Sequence, residues 1–254
     1  MPIDVRWMTL FADVPAADAE ADLAYWAAVT GHSTDWPSGA DGEYLPLRPI
    51  DGDAVLWLQR VGREVGGWHL DLHVEDVPGA GEVATALGAR EVRADDGLLV
   101  LTSPHGQPFC LVAEGDRAGG RRRAPAASWP AGQRSAVDQI SMDIPAPDFE
   151  AEADFWSALT GWPRRDGPIE EYDSLAGPER LPIRILLQRL GDDDTGTIRA
   201  HADLACDDRP TEVRRHLDLG AALVRDTEYW TTLRDPAGLL YCITDRPPWP
   251  STDS

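Results

Sequence analysis

The amino-acid sequence predicts an α+β fold in which two similar domains follow one another. The first observation is an internal repeat, because matching blocks return in the same order about 130 positions later. The second is that single helical segments alternate with groups of short apolar strands, and the third is that glycine-rich turns separate neighbouring strands. Closely spaced strands joined by such turns favour mixed or antiparallel curved sheets over a parallel sheet. We therefore predict four small units of one helix and several strands, two in each domain.

The repeat sets the domain boundaries. Its clearest block is a helical segment that ends in Thr30 and Gly31, and the copy ends in Thr160 and Gly161. Four further pairs of blocks keep the same order: 58–62 with 187–191, 69–72 with 201–204, 87–89 with 219–221, and 104–110 with 236–242. Duplication of a whole domain explains this order. We expect domain 1 at residues 1–115, a linker at 116–134 and domain 2 at 135–247, each domain long enough to bury a core.

The elements of the first domain follow from local pattern. Apolar residues 5–11 predict a strand, and Asp13-Val14-Pro15 predicts its end. Apolar residues at helical spacing predict a helix over 19–30, which Gly31 ends in a left-handed cap. The elements expected next are strands at 43–48, 54–61 and 69–74, a helix at 78–87, and strands at 90–93, 98–102 and 108–112. The second domain repeats this order, so each domain is expected to contain two βαββ-like units.

The strong negative charge limits the partners of the chain. The formal net charge is −21 at pH 7, so nucleic acid and anionic membrane surfaces would be repelled. The basic run 121–123 is the exception, and it lies in a stretch rich in Gly, Ala and Pro. We interpret this run as part of a solvated linker.

Cysteine usage and the absence of targeting patterns predict a cytoplasmic protein. Cys110, Cys206 and Cys242 form no C-x-x-C pair, and three cysteines cannot all pair within one chain. The first residues lack the pattern of a secretory signal, and no run of about 18 apolar residues predicts a membrane span. The sequence also lacks the usual motifs of serine hydrolases, nucleotide-binding loops and zinc proteases.

Three segments and their copies carry a family resemblance. They are the helix segment from Tyr25-Trp26 to Thr30-Gly31, the strand segment His69-Leu70-Asp71-Leu72-His73-Val74-Glu75-Asp76, and the ending Ser103-Pro104-His105-Gly106-Gln107-Pro108-Phe109-Cys110 with its copy Arg234-Asp235-Pro236-Ala237-Gly238-Leu239-Leu240-Tyr241-Cys242. In these segments the chain resembles the vicinal oxygen chelate superfamily, and most closely its tandem glyoxalase-like branch. This superfamily includes glyoxalases, extradiol dioxygenases, fosfomycin-resistance enzymes and bleomycin-binding proteins. The resemblance implies βαβββ modules, two in each domain, whose curved mixed sheets form a half-open cup for a metal or ligand.

The resemblance also implies positions for metal ligands. In metal-dependent members these are His or Gln on one first strand, His on another first strand, and Glu on a last strand. By position they fall on Trp7 and Gln139, on His69 and His201, and on Cys110 and Cys242. If the halves exchange ligands, one site would hold Trp7, His201 and Cys242, and the other Gln139, His69 and Cys110.

The missing carboxylates argue against a bound metal. A thiol stands at each terminal position, and a site without a carboxylate holds a hard ion such as Mg²⁺ poorly. We interpret each of these cysteines as a small apolar core residue. No metal cofactor is therefore expected, with a divalent metal as the open alternative.

His69, Asp71 and His73 form the candidate catalytic group. Residues two apart on a strand point to the same face. On a concave face, Asp71 would orient an imidazole and make it a general acid or base, whereas on the opposite face the three residues would be architectural. The second domain keeps His201 and Asp203 but has alanine in place of His73. Both interpretations remain open.

Aromatic residues on predicted strands and loops are candidates for a ligand-binding wall: Trp36, Trp57, Trp68, Trp162, Tyr172 and Trp230. In a cup-shaped sheet they would contact a flat or apolar small molecule, and packing between domains is the competing interpretation. Trp7, Gln139 and His201 complete the expected ligand-binding residues.

Three hypotheses about function follow. The leading one is a metal-independent small-molecule-binding protein of the glyoxalase/bleomycin-resistance type with a cavity between the domains. The alternative is a divalent-metal-dependent lyase, isomerase or dioxygenase that uses Gln139, His69 and a carboxylate such as Glu43 or Glu75. The third is a structural or interaction module without a ligand. The expected partner is a small molecule, and the expected assembly is a monomer with paired domains or a homodimer.

Overall fold

The computed structural model describes residues 1–115, 120–167 and 169–249. The first repeat contains two βαβββ modules. Its first module consists of β1 (Trp7–Pro15), α1 (Ala19–Thr30), β2 (Ser33–Thr34), β3 (Tyr44–Arg48) and β4 (Leu56–Val61). Its second module consists of β5 (Gly67–Val74), α2 (Val77–Ala86), β6 (Arg90–Asp95), β7 (Leu98–Thr102) and β8 (Pro108–Ala113).

The second repeat has the same order of elements and is preceded by a short strand, β9 (Ala127–Ser128). Its first module consists of β10 (Arg134–Ile144), a turn of 3-10 helix (Ala146–Asp148), α3 (Phe149–Thr160), β11 (Arg164–Asp166), β12 (Tyr172–Leu175) and β13 (Arg184–Arg189). Its second module consists of β14 (Arg199–Cys206), α4 (Arg209–Asp218), β15 (Ala222–Asp226), β16 (Trp230–Arg234) and β17 (Leu240–Thr244).

Each repeat contributes one large mixed sheet. The first has eight strands in the order β2-β3-β4-β1-β5-β8-β7-β6, and the second has the order β11-β12-β13-β10-β14-β17-β16-β15 with β9 paired to β10. The pairs β5–β8 and β14–β17 are parallel, whereas the outer pairs β6–β7 and β15–β16 are antiparallel. The predicted α+β fold with tandem domains and mixed sheets is confirmed. Among the described residues, no helix is long and apolar enough to cross a membrane.

The βαβββ modules that the resemblance implies are confirmed, whereas the βαββ-like units expected from the local pattern lack one strand in the first module of each repeat. The additional strands β2 and β11 contain only two and three residues, and they carry mostly exposed side chains. Such short polar strands lack the apolar alternation that marks a strand in a sequence. Strand β1 also continues through Asp13 to Pro15, where the sequence predicted an end.

The helices begin and end at residues whose chemistry suits those positions. Helices α1 and α3 end at Gly31 and Gly161, whose φ angles of 69° and 70° lie in the left-handed region. Helices α2 and α4 begin at Asp76 and Asp208, and the side chain of each accepts a backbone amide three residues later. A proline follows within the first turn of α2 and of α4, where its missing N–H costs nothing.

Contacts divide the chain into two compact units, and each unit combines segments from both repeats. Unit 1 contains the described residues of Met1–Leu10, Trp68–Arg121 and Ile140–Ala200, and unit 2 contains those of Phe11–Gly67, Arg122–Gln139 and His201–Ser254. In unit 1, Phe109 packs edge-on against Trp156 with ring centroids 5.1 Å apart. In unit 2, Tyr241 packs against Trp26 at the same distance. A last-strand aromatic residue against a helix tryptophan is thus the centre of each core.

The basic run of the linker forms ion pairs with acidic side chains, and Arg122 stays largely exposed to solvent. Nε of Arg121 lies 2.8 and 2.9 Å from the two carboxylate oxygens of Glu114. Arg122 forms an ion pair with Asp51. Composition indicates a linker but does not show which acidic side chains its arginines meet, because these are distant in sequence.

Candidate functional site

Two buried clusters of metal-ligating side chains lie at equivalent positions of the two repeats. Cluster 1 consists of His69, Asp71 and Cys110 in unit 1, and cluster 2 consists of His201, Asp203 and Cys242 in unit 2. In each cluster one imidazole nitrogen, one carboxylate oxygen and the thiol sulfur all lie within 4.8 Å of one another. Imidazole, carboxylate and thiolate are the groups with which proteins bind zinc.

Strand register builds cluster 1. Strands β5 and β8 are parallel, and their pairing places Cys110 opposite Asp71. His69 lies two residues before Asp71 and therefore on the same face of β5. The distance from His69 Nε2 to Asp71 Oδ1 is 3.4 Å. Parallel pairing and alternation thus bring together three groups that no local sequence motif connects.

Cluster 2 is built in the same way. Strands β14 and β17 are parallel, and Asp203 lies opposite Cys242. His201 Nε2 is 3.3 Å from Asp203 Oδ1. The side-chain amide of Gln139 donates a hydrogen bond to Asp203 Oδ2. Ligand exchange between the halves would have paired Gln139 with His69, whereas this hydrogen bond connects Gln139 to an aspartate of its own repeat.

Burial affects the thiol of cluster 1. It raises the pKa of the Cys110 thiol to about 12, and the negative charge of Asp71 raises it further. Oδ1 of Asp71 and Oδ1 of Asp203 are buried, and neither makes a hydrogen bond of normal geometry to a described residue. Each oxygen lies 3.4 or 3.3 Å from the imidazole nitrogen of its own cluster, and a buried carboxylate oxygen that lacks a hydrogen bond of normal geometry is costly. A bound cation would satisfy both oxygens.

The donor set fits a divalent ion. Histidine, carboxylate and thiolate suit a borderline-soft ion such as Zn²⁺ better than Mg²⁺, which demands oxygen ligands. Three protein ligands also leave coordination positions for a substrate. The expectation that no metal is held is therefore not supported, because Asp71 and Asp203 supply the carboxylate that the terminal position lacks.

His73 lies further along the same face of β5, in a polar environment of its own. Its Nε2 is 3.1 Å from Thr9 Oγ1. Its Nδ1 is 3.2 Å from Glu114 Oε2 and 3.3 Å from Arg121 Nη2. Burial and then the positive charge of Arg121 lower the pKa of His73 to about 4, so its imidazole is neutral near pH 7.

The contacts of His73 were not predicted from the sequence. They occur in the first repeat and not in the second, which has Ala205 in place of His73. Thr9 follows Trp7 on the same face of β1, and this alternation was the available signal. No local pattern connects Glu114 or Arg121 with His73. At the offset of 130 positions that relates helices α1 and α3, the position of Thr9 is taken in the second repeat by Gln139, which donates to Asp203.

The aromatic candidates differ widely in exposure. Trp36 is 88% exposed, so it is not part of an enclosed wall. The remaining members of the set are buried or half-buried: Trp7, Trp57, Trp68, Trp162, Tyr172 and Trp230. Nε1 of Trp7 is buried without a hydrogen-bond partner among the described residues. Trp57 packs against Phe11 with ring centroids 5.8 Å apart.

The two glutamates suggested as additional ligands have other contacts. Glu43 accepts a hydrogen bond from the backbone amide of Asp41. Glu75 forms an exposed ion pair with Arg6, at 2.8 Å. The carboxylates beside His69 and His201 are those of Asp71 and Asp203.

Comparison with known families and sequences gives one clear match. The model of the glyoxalase-like domain matches the chain twice, over residues 9–112 and 139–244. Both matched segments include a complete cluster. No curated protein sequence matches the chain significantly.

Solved structures with the same fold are distant in sequence. A variant of 4-hydroxymandelate synthase from Streptomyces coelicolor has a TM-score of 0.65 and 15% identity, over 99% of this chain and 94% of that chain. The E323L variant of homoprotocatechuate 2,3-dioxygenase from Brevibacterium fuscum has a TM-score of 0.64 and 14% identity, over 100% of this chain and 75% of that chain. A catechol 2,3-dioxygenase has a TM-score of 0.57 and 16% identity, over 98% and 91%. At these identities the likeness shows the fold.

Proposed function

Because the chain belongs to the glyoxalase-like domain family of the vicinal oxygen chelate superfamily, we propose that it is a divalent-metal-dependent lyase, isomerase or dioxygenase acting on a small molecule. The observation that carries the proposal is the recurrence of a buried His-Asp-Cys cluster in both repeats. This proposal takes precedence over the metal-independent binding protein that the sequence favoured, because each cluster includes a carboxylate.

Cluster 1 is the proposed reactive site. His69, Asp71 and Cys110 would hold the ion, which supplies a Lewis acid that polarises a substrate oxygen. His73 lies on the same strand face, and its neutral imidazole is able to take a proton from a substrate carbon or hydroxyl at Nε2. Thr9 and Glu114 hold the ring of His73 from its two nitrogens.

Cluster 2 is proposed to hold a second ion without a neighbouring base. Ala205 occupies the position that corresponds to His73, and Gln139 already donates to Asp203. The donor set alone favours a non-redox ion and hence a lyase or isomerase. The dioxygenases among the structures of similar fold are the observation that keeps oxygen chemistry as the second candidate.

The setting and partner proposed here follow from charge and cysteine state. Cys110, Cys206 and Cys242 are all free and buried, which suits a reducing cytoplasm. With a net charge of −21, we propose a small molecule as the partner rather than nucleic acid or an anionic membrane.

The first test is the metal content of purified, tag-free protein after loading with Zn²⁺, Mn²⁺, Fe²⁺ or Ni²⁺ and desalting. We expect about two ions per chain, falling to about one in His69→Ala and in His201→Ala. His73→Ala is the matched control, because it should keep both ions and lose only turnover. Absence of metal under every loading condition would return the protein to the metal-independent binding class.

Turnover then separates the reaction classes. If the lyase or isomerase proposal holds, Zn²⁺-loaded protein should convert a small α-hydroxycarbonyl test compound, whose oxygens suit a Lewis acid, and His73→Ala should abolish this activity. Oxygen consumption with a catechol in Fe²⁺-loaded protein would instead identify a dioxygenase. Ligand-induced thermal stabilisation that survives a chelator would support a binding protein.

A further inference from the structure

Helix α1 carries a buried acid that neither cluster uses. Asp22 is 0% exposed, and neither of its carboxylate oxygens has a hydrogen-bond partner of normal geometry among the described residues. A second acid, Asp235, is 4% exposed and follows β16. Oδ2 of Asp235 accepts the indole N–H of Trp26 at 3.1 Å, and its Oδ1 accepts the amide of Leu239 at 2.7 Å. The side chains of Asp22 and Asp235 interact with each other, so two carboxyl groups meet between helix α1 and the turn 235–239.

The corresponding helix of the second repeat, α3, also carries a buried acid, but its surroundings differ. Glu152 on α3 is also 0% exposed, but it has donors. It accepts the indole N–H of Trp156 at 2.8 Å, and Nδ1 of His105 lies 3.0 Å away. Ser103 stands where the other repeat has Asp235. In unit 1 the helix acid is therefore paired with a histidine, and in unit 2 it is paired with a second acid.

A proton resolves the contact between two acids. An ionised carboxylate only accepts hydrogen bonds, so two of them in a buried place repel each other and leave lone pairs unsatisfied. If one acid is protonated, its O–H donates to the other and the pair carries a single charge. We propose that Asp22 and Asp235 share one proton and form a pH-sensitive latch between helix α1 and the turn 235–239.

The surrounding charges favour retention of that proton. Burial and then the charge of Asp235 raise the pKa of Asp22, and burial also raises the pKa of Asp235. Asp18 adds to the repulsion at Asp22. The amide of Ala237 and the indole of Trp26 favour the charged forms but have smaller effects than burial.

Other ionisable groups near the latch leave this direction unchanged. Tyr25 and Tyr241 remain neutral because burial raises the pKa of both hydroxyls. The guanidinium of Arg215 is held by the carboxylate of Glu212, at 2.5 Å. No described cation forms an ion pair with Asp22 or Asp235. Loss of the shared proton would therefore place two negative charges together and separate the turn from α1.

The latch has a structural consequence for the strand that follows it. Strand β17 begins at Leu240, directly after the turn, and carries Cys242. Opening of the turn would loosen the start of this strand. Any effect on metal held by cluster 2 rests on the proposed function, whereas the latch itself does not.

The test uses metal-free full-length protein and infrared spectroscopy, so its outcome is independent of the proposed function. We expect a carbonyl stretching band of a protonated carboxyl group at about pH 6 that disappears as the pH is raised to about 9. Asp22→Asn should lack the band, whereas Glu152→Gln should retain it. A wild-type titration without such a band, or its persistence in both Asp22→Asn and Asp235→Asn, would overturn the proposal.

Amide hydrogen exchange tests the mechanical part of the latch. Between about pH 6 and pH 9, the protection of the Leu239 amide, corrected for the intrinsic pH dependence of exchange, should fall at least about tenfold in the wild type. In Asp22→Asn the protection of the Leu239 amide should stay constant, because the side chain of the introduced asparagine cannot ionise. Equal loss of protection in the wild type and in Asp22→Asn would show that the pair does not control the turn. If Asp22→Asn does not fold, Asp235→Asn and the wild-type titration still show whether the acid pair controls the turn.

Discussion

At the scale of single residues, a thiol within the last strand of each repeat would decide which ion the proposed metal site prefers. Cys110 would contribute a soft ligand beside the harder carboxylate of Asp71 and the imidazole of His69. Soft thiolate ligands select zinc-like ions, whereas carboxylates suit Mn²⁺ and Mg²⁺. Under the proposed function, the metal selectivity of cluster 1 would therefore depend on one side chain.

Replacing this thiol should change the metal preference. We expect Cys110→Asp to shift the ion bound at cluster 1 from Zn²⁺ toward Mn²⁺, because the variant offers two carboxylates and one imidazole. Metal content after dialysis against equal concentrations of both ions measures the shift. Cys206→Ser is the matched control, since Cys206 is buried, belongs to neither cluster and donates to the backbone oxygen of Thr244. An unchanged preference in Cys110→Asp would show that the thiol is not a ligand.

A second residue-scale feature is the buried polar chain beneath the strand that carries cluster 2. The hydroxyl of Tyr241 is hydrogen-bonded to that of Tyr25 and lies 2.8 Å from Nδ1 of His216. Nε2 of His216 lies 3.2 Å from Glu212 Oε1. The equivalent of Tyr241 in the other repeat is Phe109. The two repeats therefore have cores of the same shape but different polarity.

Removing the Tyr241 hydroxyl should destabilise the protein. Tyr241→Phe leaves Tyr25 and His216 each without one buried partner, which costs about 1–3 kcal/mol in the free energy of unfolding. Adding Tyr25→Phe should recover part of this loss, because both partners of one hydrogen bond are then apolar. Chemical denaturation of the two variants and the wild type measures the effect. If Tyr241→Phe were as stable as the wild type, these buried hydrogen bonds would contribute nothing to the free energy of unfolding.

At the scale of elements, the ends of helices were predicted and the shortest strands were not. The left-handed conformation at Gly31 follows from local chemistry, because a side chain in that region is strained. Strands β2 and β11 are held by pairing with longer neighbours, so their own residues carry no apolar signal. Local patterns thus reveal the elements that are stable for local reasons.

Substituting the glycine that ends α1 tests this argument. We expect Gly31→Ala to lower the free energy of unfolding by about 1–2 kcal/mol, since its φ is positive and an added Cβ would meet Trp129 at 3.2 Å. Gly62→Ala is the control, because that glycine has no positive φ and nothing lies within 4 Å of the added atom. Thermal unfolding of both variants decides the matter. Equal melting temperatures for the two variants would contradict the role of Gly31.

The candidate site was predicted in part for the same reason. Alternation along one strand placed His69, Asp71 and His73 on one face, and the structure brings His69 and Asp71 within 3.4 Å of each other. The inclusion of Cys110 depends on the register of β5 with β8, and no pattern within a strand encodes the register with another. The contact of Arg121 with His73 joins residues 48 positions apart and was equally inaccessible.

At the scale of the whole molecule, net charge opposes compaction. The chain has 44 acidic residues and 23 basic residues. Exposed ion pairs such as Arg122–Asp51 each contribute at most about 1 kcal/mol, and salt weakens them. The excess negative charge produces a general repulsion that salt also weakens, with the opposite effect on stability. The two effects compete, and because acids are in large excess we expect the net effect of salt on stability to be favourable.

Salt should therefore stabilise this protein at moderate ionic strength. The screening length falls from about 30 Å at 0.01 M to about 8 Å at 0.15 M, which suppresses repulsion between distant acids while neighbouring ion pairs lose less. We expect the melting temperature at pH 7 to rise across this range of sodium chloride. A variant with several exposed acids changed to their amides, including Asp41 and Glu64, should show a smaller rise. A melting temperature that falls with salt would mean that the ion pairs outweigh the net charge, because specific salt effects on apolar burial are small at these concentrations.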